Sequence, residues 1–193
     1  MNAVFELARA LSICVRLMTL DQIARGFTRG DLANARRLVR SPLLESTTVV
    51  CRTTPPMDGP LLLWKPGMPD PDYDALAYVV RTRSEQSETH QVTVYTASRK
   101  AQQLFGGFGI LKRDQAAHDL AVSTVYNWYR INKPELAAVW RGEDVDFSRG
   151  KRETHPDAFL PGRIIEICGS YPVSRLRRLI DDARKRNEEI ELW

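Results

Sequence analysis

The chain has 193 residues and a mass of 22.0 kDa, with 43% hydrophobic and 27% charged residues, an ordinary balance for a globular protein long enough to bury a real core. No apolar run approaches the roughly 18 to 20 residues that span a bilayer, so no membrane partner is expected, and Glu6 and Arg9 make the apolar start an amphipathic helix rather than a signal peptide. Cys14, Cys51 and Cys168 are odd in number, far apart and without a CxxC pair, which argues against a disulfide framework or a zinc site and makes a cytoplasmic, reduced protein the expectation.

The net charge of +4 is unevenly spread. Residues 1–53 hold eight of the 28 basic residues and four of the 24 acidic ones, so the remaining 20 and 20 balance. The whole excess lies in the first quarter, where a phosphate-binding surface is expected if there is one.

Val4, Leu7, Ala8, Leu11 and Val15 repeat at helical spacing and predict a first helix. Thr19, with Gln22 three residues on, has the pattern of a capping box and starts a short second helix that Gly26 ends. A third helix is expected over about Asp31 to Arg40, with Leu32, Ala35 and Val39 inward and Arg29, Arg36, Arg37 and Arg40 forming a basic stripe beside Asn34. Val49 to Cys51 and Leu61 to Trp64 read as two strands of a hairpin joined by the turn-rich stretch from Thr53 to Pro60. In that order these elements look like a winged helix-turn-helix, whose third helix enters the major groove while the hairpin touches the backbone. A solvated arginine face on a core helix gives the same pattern.

A Pro/Asp-rich stretch, Lys65 to Asp74, marks a boundary. Beyond it come a helix from Tyr73 to Arg83, a strand from Val92 to Tyr95 and a short helix from Ser98 to Phe105. Gly106-Gly107-Phe108-Gly109 lacks the Lys-Ser/Thr of a P-loop and reads as a hinge. A long helix, Asp114 to Ile131, precedes a strand around Ala138-Val139-Trp140, with Glu143 and Asp144 as a turn. Two further strands, Ala158 to Leu160 and Ile164 to Cys168, meet at the Pro161-Gly162 turn. Pro172 opens a helix with Val173, Leu176, Leu179, Ile180 and Ala183 inward, and a strand from Ile190 to Trp193 closes the chain. Trp64, Trp128 and Trp140 are expected in the core.

Pro156-Asp157-Ala158 followed by Glu166-Ile167-Cys168 resembles the active-site strand pair of PD-(D/E)xK nucleases, and the αβββαβ order around it resembles the minimal core of that restriction-endonuclease-like fold. The resemblance implies that Asp157 and Glu166 face each other across two strands and hold Mg²⁺, the hard cation that carboxylate oxygens suit. Cys168 stands where that family has its lysine, and a thiol offers neither the positive charge nor the ammonium donors of lysine. The plain readings stay open: Asp157 begins a strand, and Glu166 is tied down by an arginine such as Arg175.

With both halves, the chain resembles the replication-relaxation family, a winged helix joined to a degenerate restriction-endonuclease-like domain. The residues carrying that likeness are His118-Asp119-Leu120, Trp140-Arg141-Gly142-Glu143-Asp144, Pro156-Asp157-Ala158, Ile165-Glu166 up to Gly169-Ser170-Tyr171, and the stretch from Val94 to Ala101. The expected fold is α+β: a winged helix-turn-helix over 1–66, a connecting α/β segment over 67–111, and a restriction-endonuclease-like domain with a mixed sheet over 112–193. The resemblance implies a DNA-binding protein of plasmid or mobile-element type, linked to replication or mobilisation, with a nuclease-like domain that binds rather than cuts.

Its candidate residues are Arg29, Asn34, Arg36, Arg37 and Arg40 for double-stranded DNA, and Asp157 and Glu166, with His118, for a residual catalytic site. Replication or mobilisation proteins are the expected partners, and a homodimer is compatible with this. The alternative is a Mg-dependent endonuclease using Asp157 and Glu166, its basic role moved to Arg175 or Arg178; no cofactor is required otherwise. An adaptor that touches no DNA would call for a neutral or acidic third helix, against the arginines found.

Overall fold

The computed structural model describes residues 2–52, 54, 57–85, 88–107, 111–143 and 155–193. Thr53, Pro55 and Pro56 of the expected turn, Phe108 and Gly109 of the expected hinge, and Asp144 lie outside them.

The chain begins with α1 (Ala3–Ile13), capped by the Asn2 side chain. Its Leu7, Ala8, Leu11 and Ile13 are buried, as the helical spacing predicts. A two-residue strand, β1 (Met18–Thr19), leads into α2 (Leu20–Phe27). Thr19 and Gln22 cap each other there: Gln22 N–H donates to Thr19 Oγ1 at 3.1 Å, and Thr19 N–H donates to Gln22 Oε1 at 2.9 Å.

The next helix, α3 (Leu32–Leu38), is shorter than the sequence suggests at both ends. Asp31 is its N-cap, accepting from Asn34 N–H at 3.0 Å, and Arg40 falls in the turn that follows. Arg29 and Gly30, both with positive φ, make the turn between α2 and α3.

Two sheets follow, and they divide the strands differently from the sequence-based expectation. One sheet, in the order β1-β4-β2, is antiparallel and pairs β2 (Leu44–Arg52) along its whole length with β4 (Thr89–Ala97). The strand expected to pair with β2, now β3 (Leu62–Trp64), lies instead at the edge of the second sheet, antiparallel to the C-terminal strand β8 (Glu189–Leu192). Burial explains the difference. Trp64 is fully enclosed with Tyr73, Leu176, Leu179 and Ile190, whereas a hairpin partner of β2 would carry that indole at an exposed edge. β3, inside the segment expected as 1–66, thus shares a sheet with strands of the segment expected as 112–193.

Between β3 and β4 runs α4 (Tyr73–Glu85), and α5 (Arg99–Phe105), capped by Ser98, follows β4. A single 3₁₀ turn (Arg113–Gln115) enters α6 (Ala116–Asn132). The strand expected at 138–140 is a helix, α7 (Pro134–Val139), with proline at its first turn and the helix formers Glu135, Leu136, Ala137 and Ala138 behind it. The strand itself is displaced to β5 (Arg141–Gly142). It is followed by β6 (Ala158–Leu160), β7 (Arg163–Glu166) and α8 (Val173–Arg186).

The second sheet is mixed, in the order β3-β8-β7-β6-β5. The run β5-β6-β7 is antiparallel, and β8, reached through α8, lies parallel to β7. The fold is thus α+β with one antiparallel and one mixed sheet. No helix among the described residues is long and apolar enough to cross a membrane.

Alternation along β6 and β7 sends their side chains into two cores. Ala158, Leu160 and Ile165 join Trp193 and the inner faces of α1, α2 and α6, so the N-terminal helices and the second sheet share one apolar cluster. Phe159 and Ile164 face the other way, into Trp64 and the apolar stripe of α8. Trp140, wholly buried, packs edge-on to Tyr126 and Tyr129 at 5.4 and 5.3 Å. Trp128 is only half-buried and tilts against Trp193 at 5.1 Å.

Polar contacts fasten α6 to α2. Gln22 donates to Leu120 O and Thr124 Oγ1 at 3.0 and 2.9 Å, Asn127 donates to Gln22 O at 2.9 Å, and Arg130 donates to Gly26 O at 2.9 Å. A Cβ at Gly26 would sit 2.2 Å from Asn127 Oδ1, so only glycine permits this approach.

Candidate functional site

Asp157 stands one residue before β6 and Glu166 ends β7. The register pairs Ala158 with Ile165, so its next step sets the two carboxylates opposite each other. Both are buried, Asp157 at 7% and Glu166 at 1% exposure. Such groups need partners, because an ionised carboxylate loses its hydration on burial.

For Asp157 the partners take both oxygens. His118, in the first turn of α6, brings Nε2 to 2.7 Å from Oδ1, and Ile167 N–H donates to Oδ2 at 2.7 Å. The Asp157 carboxylate and its hydrogen bond outweigh the opposing effect of burial on the imidazole. They raise His118 from 6.5 to about 9 and keep it a cation at neutral pH.

For Glu166, Tyr171 O–H donates to Oε1 at 2.9 Å and Arg175 donates to the same oxygen at 3.2 Å. Arg175, on the first turn of α8, lies over the Tyr171 ring at 3.9 Å and also donates to its hydroxyl at 2.9 Å, so guanidinium, phenol and carboxylate form one unit. Burial, then the Asp157 charge, pushes Glu166 well above the usual carboxylate range despite these donors. Its Oε2 is buried without a hydrogen-bond partner among the described residues. Cys168 lies beyond Glu166, its backbone N–H tied to Trp193 O at 2.8 Å and its thiol raised by burial and by the two carboxylates. It is no thiolate nucleophile.

Beside His118 a second charged group closes the junction between α1 and α6. Arg16 reaches Asp119 at 3.4 Å and also pairs with Glu143. Burial lifts Asp119 to about 6, while the Arg16 charge opposes that shift. A cavity of about 30 Å³ lies there, lined by Ser12, Arg16, His118, Asp119, Glu143 and Asp157, with room for one or two waters. Gly107 and Gly142 press the chain around it: a Cβ on them would come within 1.7 Å of Ser12 O and 2.7 Å of Cys14 O.

The structure therefore brings His118 and Asp157 into contact and sets Glu166 beside them. Tyr171, Asp119 and Arg16 belong to the same region but were not site candidates, although Asp119 and Tyr171 stand in the motifs that carry the family likeness. Tyr171 could have been found from its spacing to Arg175, four residues on across a helix start. Arg16 and Asp119 are 103 residues apart, and no local pattern joins them.

The DNA candidates lie elsewhere. Arg29, Arg36, Arg37 and Arg40 are exposed, Asn34 is half-buried, and Arg37 donates to Asn34 Oδ1. None of these arginines has an acidic partner among the described residues.

A Mg²⁺ ion of the kind the nuclease resemblance implies needs several open oxygens in a near-octahedral shell. Here three of the four carboxylate oxygens already accept from protein donors, and two of those donors, His118 and Arg175, are themselves cations. The residues present do not fit the ion. Among the described residues no group of three or more His, Cys, Asp or Glu is arranged to hold a metal. Compared with protein-family models, with curated proteins and with solved structures, the chain finds no match in any of the three.

Proposed function

We propose that this chain is a DNA-binding protein of the replication-relaxation type, serving the replication or mobilisation of a plasmid or other mobile element. In this reading the N-terminal elements are a winged helix that reads duplex DNA through α3. The second sheet, with α6 and α8, is a nuclease-derived platform that holds the reader and docks a partner.

The observation that carries the reading is α3. It follows a capped helix and a tight turn, and presents Arg36 and Arg37 to solvent with Arg29 and Arg40 at its two ends. The strand order β1-β4-β2 supports it, because that is the three-stranded sheet expected beside a recognition helix, with β2 and β4 as the wing. The wing here has an unusual connection, since β3, which follows β2 in the chain, joins the far sheet before β4 completes this one.

Support for a nuclease ancestry comes from α6 and β5 to β8. They run helix, three antiparallel strands, helix and a parallel strand, with α7 inserted. Support for binding over cutting comes from the carboxylates, which are engaged by His118, the Ile167 amide, Tyr171 and Arg175, and from the thiol in the lysine position.

The test is a gel-shift assay at physiological salt with Arg36→Gln/Arg37→Gln. Removing two phosphate or base contacts should abolish retention of duplex DNA. Binding equal to the parent would sink the reading.

A further inference from the structure

The α3 arginines have further exposed cations near them along the fold. After Arg40 the chain turns through Ser41, and there Pro42 O accepts from Ser98 Oγ at 3.0 Å while Leu43 O accepts from Ser98 N–H at 2.9 Å. The β2–β4 ladder begins one residue further, with Leu44 opposite Ala97. These bonds pin the end of the α3 segment to the start of α5, whose first two residues are Arg99 and Lys100. Both side chains are exposed, and neither has an acidic partner among the described residues.

Counting two residues from Arg40 to Pro42 and one from Ser98 to Arg99, at no more than about 3.8 Å each, puts Arg40 and Arg99 within roughly 20 Å of one another. That is less than one turn of B-DNA, about 34 Å. Beside Arg99 opens a mostly polar groove, where Glu45, Ser46, Thr47, Thr96 and Gln102 join it and Glu45 is the acid.

We propose that Arg99 and Lys100 form, with Arg40, a second phosphate-gripping segment that holds the backbone of duplex DNA beside the helix carrying Arg36 and Arg37. The inference rests on the DNA-binding reading and extends it to residues outside the helix-turn-helix. The Ser98 bonds keep the start of α5 within roughly 20 Å of Arg40, a span that one duplex covers, which supports a shared contact. Phosphates are the ligand, since the two side chains are long, flexible and cationic and nothing beside them fixes the geometry that base recognition needs. Glu45 limits how closely the backbone can approach the groove floor and keeps contact to the rim.

The experiment is fluorescence anisotropy of the full chain with a labelled mixed-sequence duplex of about 30 base pairs, three helical turns, over a range of NaCl concentrations. For Arg99→Gln/Lys100→Gln the slope of log K against log salt should fall by about 1.8, two contacts at roughly 0.9 each. Affinity near 0.1 M salt should drop at least about ten-fold for the same reason. Arg177→Gln/Arg178→Gln removes equal charge from the exposed face of α8 and should leave the slope unchanged.

A parental slope and affinity in the Arg99/Lys100 variant overturns the proposal, and so does an equal fall in the α8 variant, which would mean bulk charge alone. Loss of binding on Arg36→Gln/Arg37→Gln with no effect at Arg99 and Lys100 would leave the DNA reading standing and remove this extension. A parent that does not bind the duplex removes both.

Discussion

Replacing His118 by Gln tests whether the His118–Asp157 contact is an ion pair that helps hold α6 on the second sheet. Glutamine can still donate to Asp157 Oδ1, but it cannot carry charge. In the folded protein the histidine is raised to about 9, against 6.5 in an unfolded chain. Protonated His118 thus favours the folded state: the contribution is complete below about pH 6.5 and is lost as pH rises through about 9. A difference of about 2.5 pK at 1.36 kcal/mol each gives an upper figure of about 3.4 kcal/mol. The imidazole is 36% exposed, so solvent screening reduces this by about half, to on the order of 1.5 to 2 kcal/mol. Urea unfolding of parent and His118→Gln at pH 6 and pH 9.5 gives the measurement. The parent's advantage should shrink by that amount between the two pH values. Glu166, raised by burial, also costs stability as pH rises, and its charge acts on His118, so the same comparison in a Glu166→Gln background separates the two titrations; the parent's advantage should persist there. Parallel pH profiles, or a His118 ring proton titrating near 6.5 in NMR, would refute the ion pair.

Glu191 offers a larger effect. It is 1% exposed and accepts from Tyr129 O–H at 2.6 Å, Trp193 Nε1 at 3.0 Å and Arg163 at 2.5 Å. Glu191→Leu strands those donors in the interior and should cost about 3 to 5 kcal/mol, towards the lower end because Arg163 keeps Glu189; a shift in urea midpoint worth under about 1 kcal/mol would show that the network is not structural. Gly107→Ala places a methyl 1.7 Å from Ser12 O at a φ of +90°. It should lower stability by on the order of 3 kcal/mol, and an unchanged melting temperature would mean that the α1 end yields freely.

The parts of the fold legible in the sequence were those whose signal is local. Thr19 with Gln22, Pro172 ahead of an apolar stripe and the Pro161-Gly162 turn each specify their structure within a few residues. The pairing of β2 was not legible because its partner lies beyond a 36-residue excursion, and the nearer candidate, Leu61 to Trp64, is equally strand-like. What separates the two is the enclosure of Trp64 by α8, more than a hundred residues away. The strand expected at 138–140 fails for a local reason: Val139 and Trp140 look extended, but Pro134 and the four helix formers behind it begin a helix first.

At the candidate site the same division separates what the strand motif gives from what the contacts decide. Asp157 and Glu166 can be found from the strand pattern, but what decides their use is which donors reach them. His118 comes from α6, 39 residues before Asp157, and Arg175 from a helix that starts only after the chain has left the sheet. A carboxylate pair open to water would attract a hard cation; the same pair facing an imidazolium and a guanidinium already has its counter-charges. Cys168 adds no charge of its own there, its thiol being raised by burial and by the two carboxylates, so the cations beside the pair come from two helices rather than from the strand. The consequence is structural as well as chemical. His118 ties α6, and through Gln22 and Asn127 also α2, to the sheet whose other face α8 covers, so the buried carboxylates join the N-terminal helices to the second sheet.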